Sequence, residues 1–455
     1  MNALAVLAAI ALALPWWVRN PIRGVYLLFG AALLFEIFPM YFPDSLTDNV
    51  PFFWNLNAYN SAAIDGVPIT PAEIAMVLAL VIWWFSSARS TGARIPSGPL
   101  VVAYTIYIAV VVLAEARGLI SGGDFNISLW ELRPQVYGFV MFVLAASLVR
   151  ERGQLMRLAV IFFAAVALKA LLGLYRYFET LGGNLGTRES ILSHEESYFF
   201  AMFLIGVVAA LIWYRRWKLL LPLIALSPLV GLALLENRRR VGMLALWAAL
   251  IVLAMLAVRF EFSLRRYLVV ASAVVAIGAG VFLAAYWDHQ YGTIGQLVRP
   301  VHSLFEPDQR DAQSDAYRQA ENANLTFTYQ TSPVIGIGFG RPMLYIFPMA
   351  DISYIYPLWN YIPHNTILWI GMRMGAVGLI AFWALIGMAI LAAARQMNVR
   401  TDPLLRGIAA FAIAAIVAEL VVGWGDLQLE NYRNMMFLGT MLGIIDALPR
   451  VPDAA

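Results

Sequence analysis

The chain contains no cysteine, which excludes disulfides, thiolate metal sites and a thiol nucleophile. Histidine is scarce, with four residues among 455. Charged residues make up only 13%, well below the share in an ordinary soluble domain. In their place stand hydrophobic residues, 61% of the chain, with a mean hydropathy of +0.73. The expectation is an all-α polytopic membrane protein, because spanning backbone must satisfy its own hydrogen bonds and a helix does so within each segment. The formal net charge of +3 does not argue for nucleic acid, since arginine in short cytoplasmic loops leaves the same excess. No internal repeat or low-complexity linker divides the chain. One membrane domain over 1–455 is expected, with one large outer loop at 287–365 that contains short helices.

The first apolar run, Leu4 to Val18, has no basic region before it and no small-residue cleavage site after it. It reads as a retained helix rather than a signal sequence. Counting runs near the roughly 20 apolar residues that a bilayer needs gives about thirteen spans, within a range of roughly 12–14. They fall near 3–18, 24–42, 71–87, 99–116, 135–149, 155–178, 197–214, 219–236, 241–258, 267–286, 366–394, 404–423 and 432–448.

Orientation follows from arginine and lysine. With the N-terminus outside, the cytoplasmic loops hold Arg19 and Arg23, Arg89 and Arg94, Arg150 and Arg152, Arg215, Arg216 and Lys218, Arg259, Arg265 and Arg266, Arg395 and Arg400, and Arg450. Every cytoplasmic connection is then positive, as the positive-inside rule requires. The alternate connections, 43–70, 117–134, 179–196, 236–240, 287–365 and 425–431, face the exterior.

One outer turn breaks that rule. Glu236-Asn237 is followed by Arg238, Arg239 and Arg240 and then directly by an apolar run. An inverted topology would explain the turn, but it would place every other arginine-rich loop outside. The cluster therefore reads as a binding feature, since arginine at a bilayer is costly and its planar fork suits phosphate oxygens. Arg318 lies in the only large outer loop, on a segment, Tyr317 to Gln330, with helical polarity. The glycine-rich passage Ser332 to Arg341 lacks the lysine and Ser/Thr of a Walker loop. It reads more readily as a set of turns than as a phosphate cradle.

His364 follows a proline, precedes Asn365, and stands where the polar loop meets an apolar helix. An imidazole there is a natural proton acceptor near neutral pH. No second histidine or carboxylate follows at i+3 or i+4, so no metal site is expected. On the same side, Glu131-Leu132-Arg133-Pro134 opens the fifth span and His194-Glu195-Glu196 the seventh, each a candidate interfacial cap or substrate contact. Lys169 and Arg176, in the sixth span, need polar partners, and Arg176 is placed to face the same outer cavity.

Read together, these motifs resemble the bacterial O-antigen ligase and polymerase superfamily of integral membrane glycosyltransferases. The resemblance rests first on His364-Asn365, nine residues, Gly375, two residues and Gly378, which matches the family's His-Asn-x9-Gly-x-x-Gly pattern. It rests also on an arginine opening an apolar helix, here Arg240-Val241-Gly242-Met243, and on the loop run Tyr317-Arg318 through Ser332-Pro333-Val334-Ile335-Gly336-Ile337-Gly338. In the family the helix-opening arginine usually follows Ser or Thr. Here Arg239 takes that place, which leaves Arg239 and Arg240 as alternative phosphate contacts.

The resemblance implies a GT-C-like fold in a bacterial inner membrane, with the active site facing the periplasm and no cofactor or metal. It implies a polyprenyl-pyrophosphate-linked glycan donor and a glycan or lipid A-core acceptor, with membrane lipids as surroundings and no nucleic acid. His364 would be the base, with Arg240 and Arg318 stabilising the leaving pyrophosphate. Arg238, Arg239, Asn365, Arg341, Arg133, Arg176 and His194 would be substrate contacts. Ligase, polymerase and protein O-oligosaccharyltransferase share this donor chemistry. A lipid-linked glycan transporter and a non-catalytic export scaffold are the rivals from other classes.

Overall fold

The computed structural model describes residues 3–37, 47, 49–56, 68–89, 96–185, 190–289, 292–353 and 356–453. Arg94, the end of the second expected span at 38–42, and most of the first outer loop lie outside the described residues. The regular elements of the described residues are helices: α1 (Ala3–Arg19), α2 (Ile22–Leu34), α3 (Pro71–Arg89), α4 (Pro99–Ile120), α5 (Phe125–Leu148), α6 (Arg152–Tyr175), α7 (Glu196–Ala209), α8 (Trp217–Glu236), α9 (Arg240–Phe260), α10 (Arg265–Tyr286), α11 (Gly292–Phe305), α12 (Gln309–Thr331), α13 (Thr366–Val399), α14 (Pro403–Gly425) and α15 (Tyr432–Ala447). Short π-helical turns extend α6 over Arg176–Thr180 and α7 over Ala210–Tyr214.

Each of the thirteen expected spans overlaps a helix, though not all of them are long enough to cross a bilayer. Among the described residues, eight helices are long and apolar enough to cross a membrane: α4, α6 with its π-turn, α7 with its π-turn, α8, α9, α10, α13 and α14. The chain is a multi-pass helical membrane protein. The second span is shorter than its apolar run suggests, because α2 stops at Leu34 and Phe35 turns to an extended conformation with φ −101 and ψ 139. The long 287–365 connection holds more helix than expected, in α11 and α12. Asp308 caps α12, accepting from the Asp311 N–H at 2.7 Å, and starts the helix eight residues ahead of the polar segment at Tyr317.

The chain divides into two compact units, each discontinuous in sequence. The first comprises 1–165, 319–392 and 423–452. Its centre is α5 against α15, where backbones meet because the facing residues are glycines: a Cβ on Gly439 would lie 2.0 Å from the Gly138 carbonyl oxygen. Small residues allow such close approach where lipid supplies no hydrophobic drive to pack. A buried Arg433–Glu36 pair at 2.9 Å joins α15 to the end of α2, with Arg433 also donating to the Ala32 and Leu33 carbonyls.

The second unit comprises 166–318, 393–422 and 453–455. Lys169 on α6 meets Glu196 on α7 at 3.3 Å with both side chains fully buried, the polar partner that an intramembrane lysine requires. α9 sits close to α7 through Gly242, whose Cβ position lies 2.7 Å from the Ser197 Cβ. α10 has no buried residue along its 22.

Candidate active site

α12 carries two polar rows. Asp308 at its cap, Asp311 and Asp315 are spaced i, i+3, i+7. Glu321, Asn324 and Thr328 repeat that spacing on a different face. In the first unit the second row organises the segment between α12 and α13. Asn324 accepts from the Ile346 and Phe347 N–H groups at 2.9 Å each and donates to the Phe347 carbonyl. Thr328 Oγ1 accepts from the Leu344 N–H at 2.8 Å. Glu321, 1% exposed, accepts from the His364 backbone N–H at 3.0 Å and lies 3.2 Å from its ring Nδ1. The imidazole itself is 26% exposed. Asn365 is buried and caps α13, accepting from the Leu368 N–H at 3.1 Å.

The Tyr345 hydroxyl lies in the same segment between α12 and α13. Burial pushes it up to about 12, with Glu321, Tyr361 and Asp351 adding to the shift. It stays protonated at neutral pH.

The glycine passage is a set of turns seated on a broken helix. At Gly375 α13 leaves helical geometry, with φ 65 and ψ −163. Ile337 and Gly338 donate to the Met372 and Arg373 carbonyls at 2.8 and 3.0 Å, and Ala376 and Val377 donate to the Pro333 and Val334 carbonyls at 2.8 and 3.1 Å. The loop thus supplies the hydrogen bonds that the break removes. The passage's amides at 337, 338 and 340 are all engaged, the last with Glu131 at 2.6 Å. They are not arranged as a phosphate cradle. Beneath them lies a fully buried pair, Arg373 with Glu131 at 2.6 Å. Arg373 also donates to the Gly338, Arg341 and Tyr361 carbonyls.

This arrangement gives the motif's first glycine a physical reason. A Cβ at Gly375 would stand 2.3 Å from the Val334 carbonyl carbon, on a backbone of positive φ. Gly375→Ala is expected to lower stability by at least about 1–3 kcal/mol from backbone strain alone. Gly387, on the same helix with nothing within 4 Å of its Cβ position, is the control. Thermal unfolding in detergent should show a large drop in midpoint for the first and little change for Gly387→Ala; equal midpoints would contradict this account.

In the second unit the α8–α9 turn presents the arginines. Asn237 is buried and fixes the turn, accepting from the Leu192 N–H at 3.0 Å and donating to the Ser193 carbonyl and Ser197 hydroxyl. Arg238 follows with φ 52, a left-handed conformation uncommon outside glycine and asparagine. A narrow surface recess lies here, lined by Arg238, Arg239, Arg240 and Arg299 together with Leu234, Leu235, Met243, Gln296 and Pro300. Arg240 is held on three sides, with Nη2 2.9 Å from Asp315, Nε 3.7 Å from Asp311 and Nη1 3.3 Å from Ser303 Oγ. Arg299 meets Asp308 at 2.9 Å and Asp311 at 3.1 Å. Arg239 contacts the His194 imidazole, and Arg238 lies 3.9 Å from Glu236.

The second unit therefore brings His194, Arg238, Arg239 and Arg240 together. Arg318 ends that unit's share of α12, half-buried and with no hydrogen bond or ion pair among the described residues. Arg176 is buried at the start of the α6 π-turn. In the first unit Arg341 is half-buried, and its side chain has no hydrogen bond or ion pair among the described residues. Arg133 is buried, pairing with Glu73 at 2.9 Å and lying over the Trp130 ring at 5.3 Å. Sequence reading passed over Glu321, Arg299, Asp311, Asp315 and Arg373. The two i, i+3, i+7 rows on α12 are the signal that marks three of them.

Residues 229–383 match the family model described as O-antigen ligase. The match takes in Arg238, Arg239 and Arg240, all of α12, His364, Gly375 and Gly378. No curated protein matches the chain.

Proposed function

We propose that this chain, whose residues 229–383 match the family model described as O-antigen ligase, transfers a glycan from a polyprenyl-pyrophosphate-linked donor to an acceptor hydroxyl with inversion at the anomeric carbon. The observation that carries the reading is His364: a partly exposed imidazole at the mouth of an apolar helix, with one ring nitrogen turned to a buried carboxylate. With Nδ1 turned to Glu321, Nε2 takes the proton of the acceptor hydroxyl as its oxygen attacks the anomeric carbon. The bond from that carbon to the pyrophosphate oxygen breaks, and the electron pair leaves with the polyprenyl pyrophosphate. In the family reading that growing charge falls to arginine, with Arg240 and Arg318 as the candidates, doing by guanidinium what a divalent cation does elsewhere. No step is assigned to a metal.

The site faces the periplasm in this reading, and the membrane is the bacterial inner membrane. Cysteines introduced singly at Ala312 and Ser87 test the orientation with an impermeant thiol reagent on intact spheroplasts. Labelling at 312 and not at 87 is expected; the reverse pattern inverts the topology. The acceptor, whether lipid A-core or another lipid-linked glycan, is identified by giving the purified protein a polyprenyl-pyrophosphate oligosaccharide with each candidate and following where the glycan goes. Transfer to neither would refute the reading.

A transporter of lipid-linked glycans is the second reading, favoured by one observation, the broken helix α13, since transporters bind substrate at such breaks. Here the break is filled. The Val334 and Ile335 backbone lies within 2.4 Å of where a Cβ on Gly375 would stand, so no substrate fits there.

A further inference from the structure

We infer that Glu321 is the positioning residue of the transfer reaction, fixing the rotamer and tautomer of His364; this rests on the reading of His364 as the base. Three observations converge on it. Glu321 is 1% exposed, and a carboxylate shut away from water needs partners that donate to it. Both donors come from one residue, the His364 backbone N–H at 3.0 Å and ring Nδ1 at 3.2 Å. And α12 is itself pinned one and two turns further on by Asn324 and Thr328 to the segment between α12 and α13, so the carboxylate has little freedom to follow a moving ring.

The consequence is chemical. A carboxylate accepts and cannot donate, so it selects the tautomer with the proton on Nδ1 and leaves Nε2 as the basic nitrogen. When Nε2 takes the acceptor proton the ring becomes a cation beside the anion already in place, and no group has to reorganise. The same logic holds wherever a buried carboxylate orients a catalytic imidazole. The second contact, to the backbone amide, distinguishes Glu321 from an ordinary ion-pair partner, because it ties the carboxylate to the loop–helix junction as well as to the ring.

The test is a double-mutant cycle on the full-length protein in detergent, with turnover and donor KM measured for wild type, Glu321→Gln, His364→Ala and the double variant. Glu321→Gln should lower kcat about 10- to 1000-fold, within the whole contribution of a general base, and leave donor KM within about twofold. Added to His364→Ala it should cost nothing more, because a positioning residue has no role once its target is gone. An equal further loss in the His364→Ala background, or near-normal kcat in Glu321→Gln alone, would overturn the inference. Near-normal turnover in His364→Ala would instead overturn the base assignment on which it rests. Should Glu321→Gln fail to fold, wild-type protein labelled with ¹⁵N-histidine still decides the matter: the His364 ring must show its proton on Nδ1, and a ring protonated on Nε2 alone defeats the proposal.

Discussion

His364→Ala is expected to lower transfer about 10²–10⁴-fold, the usual contribution of a positioned general base, while donor affinity stays near that of the wild type. The split follows from where the imidazole stands. Its ring Nδ1 is turned to the buried Glu321 carboxylate, and in the proposed reaction it touches the acceptor hydroxyl, not the pyrophosphate. Removing it leaves ground-state donor contacts untouched and removes a contact made only as the proton moves, so kcat falls and KM does not. Loss of fold is not the expected cause. The α13 cap uses the Asn365 side chain, and the backbone N–H that Glu321 accepts survives in alanine. Steady-state kinetics with a lipid-linked donor check both halves, and a variant turning over at more than about a tenth of the wild-type rate would be too active for a lost base.

Arg240→Ala is expected to cost about 10²–10³ in kcat, the range for removing one preorganised donor from a developing anion. Arg240→Lys should recover little of it. The fork is what the structure uses: Nη2, Nε and Nη1 go to Asp315, Asp311 and Ser303, and a lysine ammonium cannot reach three directions from one plane. Asp311 is 10% exposed and Asp315 is 38%. A donor phosphate therefore displaces the Asp315 carboxylate more cheaply than the Asp311 one. Asp315→Asn should lower donor KM, because a competing anion has been removed from the recess, whereas Asp311→Asn should loosen Arg240 and Arg299 together. If Arg240→Lys and Arg240→Ala both keep normal kcat at saturating donor, the arginine row is an interfacial anchor and the pyrophosphate clamp is wrong.

The helices were legible because apolar runs of bilayer length leave little choice, and the turn carrying Arg238, Arg239 and Arg240 stood out because it opposes the charge pattern of its neighbours. His364-Asn365 was legible for a similar reason, a titratable group at a polar-to-apolar boundary. The partners were not. Glu321 lies 43 residues before His364, and Asp315 lies 75 residues after Arg240. A contact of that separation has no local signature beyond a helical polar row. Arg373 sat unremarked inside an apolar span, although a full guanidinium there implies a buried carboxylate such as Glu131. Gly375 read as part of a spacing pattern. Its purpose, letting a loop enter a helix, depends on Pro333 and Val334 far upstream.

The filled break in α13 also bears on how the chain is made. Residues 332–338 emerge from the ribosome before α13 is synthesised, yet the carbonyls of Met372 and Arg373 that receive the Ile337 and Gly338 amides belong to that later helix. The same holds for the Gly338, Arg341 and Tyr361 carbonyls, which wait for the Arg373 guanidinium. The segment between α12 and α13 therefore cannot take its native form as it emerges. It must remain loose until the bilayer has received α13, and only then do its turns, its buried pair and the His364 junction set together, so a nascent chain arrested before Arg373 should leave the segment open to protease.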